Sequence, residues 1–131
     1  MEQFHIILER WRGAYEAQEM FSLNARQAQE LILTLANESS ATLSIAVEDH
    51  ELIIGASMGL YTATALLGAD NFLDLVADPS EQGTTSFIMG GQMVDVPRRH
   101  CISGEQALIA LLEFLENGTV DLTRGKWEKQ D

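Results

Sequence analysis

At 131 residues, 46% hydrophobic and 21% charged, the chain has the size and balance of one globular α+β-sized domain spanning residues 1–131, which excludes a disordered or low-complexity protein. Its formal charge of −12 comes from 20 acidic and 8 basic residues, a balance that repels nucleic acid and attracts basic proteins. The most apolar stretch, Leu52 to Leu67, is interrupted by Gly55, Ser57, Gly59, Thr62 and Thr64, which excludes a membrane-spanning helix.

Phe4 to Trp11 is short and apolar and stops near Gly13, the pattern of an opening strand. Tyr15 to Phe21 is mixed in character and reads as a loop or a helical turn. Asn24, with Gln27 three residues on, is a helix start; Ala28, Leu31, Ile32 and Leu35 then recur at helical spacing until Asn37-Glu38-Ser39-Ser40 ends the run. From Thr42 the period becomes two, with Leu43, Ile45 and Val47 on one side of a strand. Glu48-Asp49-His50 turns the chain into a partner strand, Glu51 to Ala56. Met58-Gly59-Leu60 breaks that strand, and Tyr61 to Leu67 and Phe72 to Val76 are extended again. After a loop from Asp78 to Gly83, Thr84 to Met89 and Gln92 to Val96 flank Gly90-Gly91 as a tight hairpin. Pro97 ends it. Ser103 and Gln106 form a capping box for a second helix, whose apolar face carries Ala107, Leu108, Leu111, Leu112, Phe114 and Leu115, and Asn117-Gly118 stops it. The tail from Thr119 to Trp127 reads as an edge strand. The sum is an α+β fold: a mainly antiparallel sheet of about six strands with two helices packed on one face.

Chemistry is not advertised along this chain. His5, His50 and His100 are isolated, none at the spacing of a zinc-protease pair, and no phosphate-cradling glycine loop precedes a helix. The lone Cys101 cannot close an internal disulfide, which fits a reducing compartment, and the N-terminus lacks the basic start of a secretory signal; the cytosol is the expected location. Cys101 beside His100 in an extended segment would point away from it, so the thiol reads as packing. Asp70, Asp74 and Asp78 recur every four residues, but the stretch around Asp74 is extended and lacks the alternating carboxylates of a calcium loop. No catalytic residue, metal or cofactor is expected.

Charge is placed unevenly. From Gln27 to Pro97, 71 residues pass without a lysine or arginine while ten carboxylates accumulate. The residues expected to meet a partner are therefore Glu48, Asp49 and Glu51 at the first hairpin and Asp70, Asp74, Asp78 and Glu81 further on, with Tyr61 as an aromatic anchor.

The C-terminal third carries a resemblance. Gly90-Gly91, then Val94-Asp95-Val96-Pro97, then the capped helix with Glu105 and Ala107 running to Glu113-Phe114-Leu115 and Gly118, and finally Trp127, resemble the Imm-one family of bacterial immunity proteins. The likeness runs from Gly83 to Trp127, with weaker support back to Thr42, and departs from the family at Val120-Asp121, where a proline usually stands. Members are small α+β proteins encoded beside polymorphic toxins, often toxins with a nucleic-acid deaminase domain. The resemblance implies structural roles for the matched residues: Pro97 ending a strand, Phe114 packing, Gly118 stopping a helix and Trp127 capping the core. It also implies an occupation, the neutralising of a cognate toxin domain, a nuclease or deaminase with a basic surface, by stoichiometric occlusion of its active site. Two other readings stand beside it: a small cytosolic enzyme using paired carboxylates, and a homo-oligomeric module, a homodimer in the simplest case, built on the same strands.

Overall fold

A computed structural model describes residues 3–130. The strands are β1 (His5–Trp11), β2 (Tyr15–Met20), β3 (Ala41–Val47), β4 (His50–Ser57), β5 (Leu60–Leu67), β6 (Phe72–Val76), β7 (Thr84–Met89), β8 (Gln92–Pro97) and β9 (Lys126–Lys129). The helices are α1 (Ala25–Leu35), between β2 and β3, and α2 (Gly104–Asn117), between β8 and β9, with a 3-10 turn at Arg98–His100. Seven strands form one antiparallel sheet in the order β2-β1-β3-β4-β5-β6-β9, and β7-β8 is a separate two-stranded ribbon. The α+β antiparallel architecture is the expected one; the main sheet has seven strands where about six were expected, and two parts of the chain depart from expectation.

Register explains the core. Ile6 lies opposite Ile45, which lies opposite Leu52, and Leu8 opposite Leu43, which lies opposite Ile54. Ala63 and Ala65 continue these rows on β5. With a side-chain period of two, all of them share one face, and α1 and α2 cover it with Ala28, Ile32, Leu35, Ala107, Leu111 and Phe114. Each large side chain so buried contributes about 1.5–3 kcal/mol. Both helices begin at the capping boxes read from the sequence: Asn24 with Gln27 and Ser103 with Gln106. Gly118, at φ 71°, closes α2 in the left-handed conformation and donates its N–H to the Phe114 carbonyl.

The first departure is β2. Tyr15 to Met20 is neither loop nor helical turn but a strand paired along its length with β1. It lies at the edge of the sheet with almost every residue exposed, so it shows no apolar alternation to read. The second is the Gly90-Gly91 hairpin, which forms as expected but lies across the other face of the sheet. Gly55 and Ser57 point that way, opposite to Ile54 and Ala56. There the Ser57 hydroxyl accepts from the Ile88 N–H at 3.0 Å, and the Ser40 hydroxyl donates to the Ile88 carbonyl at 2.9 Å. Phe87, 1% exposed, fills the space a side chain at Gly55 would need: a Cβ there would stand 2.7 Å from Thr62 Oγ1 and 3.4 Å from the Phe87 ring. The tail expected as a strand over Thr119–Trp127 is turn and loop as far as Gly125, and the edge strand is β9, Lys126–Lys129; Trp127 packs against the core and Val120 is buried, while Leu122 stays exposed.

Candidate functional site

The acidic residues expected to meet a partner separate into three places. Glu48 and Asp49 are the two tip residues of the β3–β4 hairpin, both exposed, and Glu51, half-buried, follows on β4. Asp70 is exposed in the β5–β6 loop. A backbone bond joins these two loops, the Gly68 N–H donating to the Asp49 carbonyl at 3.1 Å, so Glu48, Asp49, Glu51 and Asp70 share one pole of the sheet. His50 ties the C-terminus of α2 to the same pole, its Nδ1 standing 3.2 Å from the Gly118 carbonyl oxygen. The last turn of α2 contains no basic residue, so the negative end of its dipole adds to the field of the carboxylates. Among the described residues Glu48, Glu51 and Asp70 enter no ion pair, and Asp49 faces only His50, at 3.6 Å.

Glu48 holds its place at a cost. Its φ is +55°, in the region where a side chain crowds the following carbonyl, and it adopts this because the tight turn between two long strands demands it. Met58 takes the same conformation, φ +50°, in the β4–β5 turn, so the geometry belongs to these tight hairpins.

Asp74 stands apart from that pole, in mid-strand on β6. It accepts hydrogen bonds from the Thr64 hydroxyl at 2.7 Å and from the Gln130 amide at 2.9 Å, and His100 Nδ1 lies 4.0 Å away. It braces the β5–β6–β9 corner. Asp78 and Glu81 belong to the loop after β6, at the other end of that strand. The Ser80 hydroxyl and N–H both donate to Asp78, which holds its carboxyl below the usual aspartate range.

Tyr61 is placed where no partner reaches it. It is 4% exposed on the helix-covered face of β5, and its hydroxyl donates to the Ile32 carbonyl of α1. The anchor expected from the sequence is a core residue, as its alternation with Thr62 and Thr64 implies.

Three charged groups escaped the sequence reading because their partners are distant in the chain. Glu38, 5% exposed, receives both Arg12 guanidinium donors, with Arg10 Nε at 3.9 Å. Arg99 clasps Glu128 at 2.8 Å and keeps its carboxyl below the usual range, with His100 Nε2 3.4 Å from the same carboxylate. Glu113, 7% exposed, faces Arg124 at 3.4 Å beside a small cavity lined by Leu75, Ile109, Ala110 and Trp127. Cys101 is half-buried with its sulfur 3.8 Å from the Pro97 carbonyl, and burial pushes the thiol up, away from nucleophilic reactivity. Among the described residues no three histidine, cysteine or acidic side chains stand together as a metal site, and no helix is long and apolar enough to cross a membrane.

The sequence matches the family model for Immunity protein Imm1 over residues 17–124, from within β2 to just short of β9. The chain belongs to that family. Membership carries an immunity function and, with it, a toxin as partner. No curated protein matches the chain. The family match begins far upstream of Gly83, where the recognisable motifs start, so the acidic hairpin of β3 and β4 lies inside it.

Proposed function

We propose that this Imm1-family chain neutralises its cognate toxin in the cytosol by stoichiometric binding, without turnover, and that the pole formed by Glu48, Asp49, Glu51 and Asp70 enters the toxin's basic substrate groove. The toxin is a nuclease or deaminase acting on nucleic acid. Such an enzyme must line its groove with lysine and arginine to hold phosphates, so an inhibitor that presents carboxylates competes for the same cations and is steered toward them. The observation that carries this reading is the gathering of carboxylates with no lysine or arginine partner among the described residues, and of a helix C-terminus, at one end of the sheet in a chain with no lysine or arginine from Gln27 to Pro97. Asp74, Asp78 and Glu81 lie outside that pole and serve the reading only through the overall field.

The test is association kinetics with the toxin domain encoded beside this chain. Lysine at Glu48, Asp49 and Asp70 together should slow association by about tenfold or more at low ionic strength and abolish protection of cells expressing the toxin, with the difference shrinking as salt is raised. Unchanged association with a folded triple variant excludes this pole.

A further inference from the structure

The two edges of the main sheet are built differently. At one end β9 is four residues long and carries Lys126 and Lys129, the short, lysine-bearing kind of edge that discourages further strand pairing. At the other end β2 is six residues long and holds no lysine, arginine or proline. Its backbone is available in a defined way. The Trp11 N–H donates to the Ser40 carbonyl, toward β3, so on β1 the residues in step with Trp11 bond to β3 and the alternate residues, Ile6, Leu8 and Arg10, bond to β2. Their partners Met20, Gln18 and Glu16 face inward, which leaves the N–H and C=O groups of Tyr15, Ala17 and Glu19 directed off the edge. Alongside runs an open groove between β2 and α1, lined by Arg10, Gln18, Met20, Phe21, Glu30 and Leu31, with Phe21 66% exposed.

We infer that this edge is a second contact with the toxin: an extended toxin segment adds to the sheet as a strand beside β2, with lysine or arginine facing Glu16 and displacing His5, 2.9 Å away, from Glu19, and with apolar side chains entering the groove toward α1. This rests on the immunity reading above. Charge selects the occupant. A second copy carries a net charge of −12 and would set Glu16 and Glu19 beside the same carboxylates, whereas a basic segment gains opposite-charge cross-strand pairs with them.

The experiment compares the wild-type chain with Ala17→Pro and Ala17→Thr in titrations against the toxin domain encoded beside it. Proline at 17 removes an outward N–H and leaves the β1–β2 bonds in place, a substitution that edge strands accept, while threonine keeps the N–H. The expected result is a loss of affinity of about thirtyfold for Ala17→Pro and less than about threefold for Ala17→Thr. In the wild-type complex, hydrogen exchange at the Tyr15, Ala17 and Glu19 amides should slow. Should Ala17→Pro fail to fold by circular dichroism, that protection decides alone. Unchanged affinity with unprotected amides overturns the edge contact and leaves the immunity reading standing; a wild-type chain that does not bind the toxin overturns both. If the same amides are protected in the chain alone and a sizing column shows a dimer, the occupant is a second copy and the inference is overturned.

Discussion

Arg12 reaches from the β1–β2 turn to close on Glu38, beyond the end of α1, with Nε donating to Oε1 at 2.8 Å and Nη2 donating to Oε2. The pair bolts the first hairpin to the helix–strand junction, since the Glu38 carbonyl also accepts from the Met58 N–H at the tip of β4–β5. Glu38 is nearly buried while Arg12 is half in solvent, so the arginine is screened and the carboxylate is the member whose loss is felt. Glu38→Gln should destabilise the fold by about 1–2 kcal/mol, read from urea denaturation. The pH dependence has a definite sign. The bidentate arginine lowers the folded-state pKa of Glu38 below its unfolded value, so the contribution is complete above the ordinary glutamate range and is lost as pH falls through the lowered value. Wild type and Glu38→Gln should therefore differ most near neutrality and converge in acid; a gap that widens on acidification refutes the assignment.

Tyr61 offers a way to separate stability from recognition. Its hydroxyl donates to the Ile32 carbonyl beneath α1, so Tyr61→Phe should cost about 1 kcal/mol and Tyr61→Ala about 3–5 kcal/mol. Neither change touches the surface. Toxin affinity measured below the melting transition should stay within about threefold for Tyr61→Phe, since truncations away from an interface are near neutral. A large loss of affinity in a fully folded Tyr61→Phe variant restores Tyr61 as a contact.

The helix starts were legible because a capping box is a local device: Asn24 meets Gln27 and Ser103 meets Gln106 three residues away. The β3–β4 and β7–β8 hairpins were legible for the same reason, their turns being set by neighbouring residues. What was hidden depended on distance or on exposure. Tyr15 to Met20 has one strand neighbour and two wet faces, so nothing in its composition separates a strand from a loop. The β7–β8 ribbon alternates like any strand pair, and only Ser40, Gly55 and Ser57, some thirty to fifty residues upstream, determine that it lies across the sheet instead of joining it. The acidic grouping was legible as composition but not as a place: the loops of Glu48 and Asp70 are joined by the Gly68–Asp49 backbone bond, while Asp78, spaced evenly with Asp70 and Asp74 in sequence, ends at the other end of β6 because the segment between is extended.

The ribbon's attachment can be weighed at Phe87. It is fully buried over Gly55, and with Val96, 8% exposed, it is one of two buried apolar side chains in a ribbon that is otherwise mostly exposed, so this ring is a main apolar contact holding the hairpin down. Phe87→Ala should cost about 3–5 kcal/mol and raise hydrogen exchange across Thr84–Met89 and Gln92–Pro97 more than in the main sheet. Gly55→Ala should act on the same contact, because its methyl would stand 2.7 Å from Thr62 Oγ1. Exchange rising equally in β3 and β4 would show that the ribbon and the sheet unfold as one.

Glu48 joins strain to recognition, and one substitution tests both. At φ +55° the glutamate backbone sits where asparagine is at home, because a short amide side chain bonds locally and tolerates the left-handed region. Glu48→Asn should therefore raise stability by about 0.5–1 kcal/mol, seen as a higher melting temperature. The same change removes an unpaired carboxylate from the tip of the acidic pole, so the toxin should associate more slowly, by about threefold at low salt, with little difference near 1 M. Opposite signs for stability and association are what a strained, protruding binding residue requires. A variant that is more stable and associates as fast as wild type would mean that the carboxylate at the turn contributes strain without a role in steering.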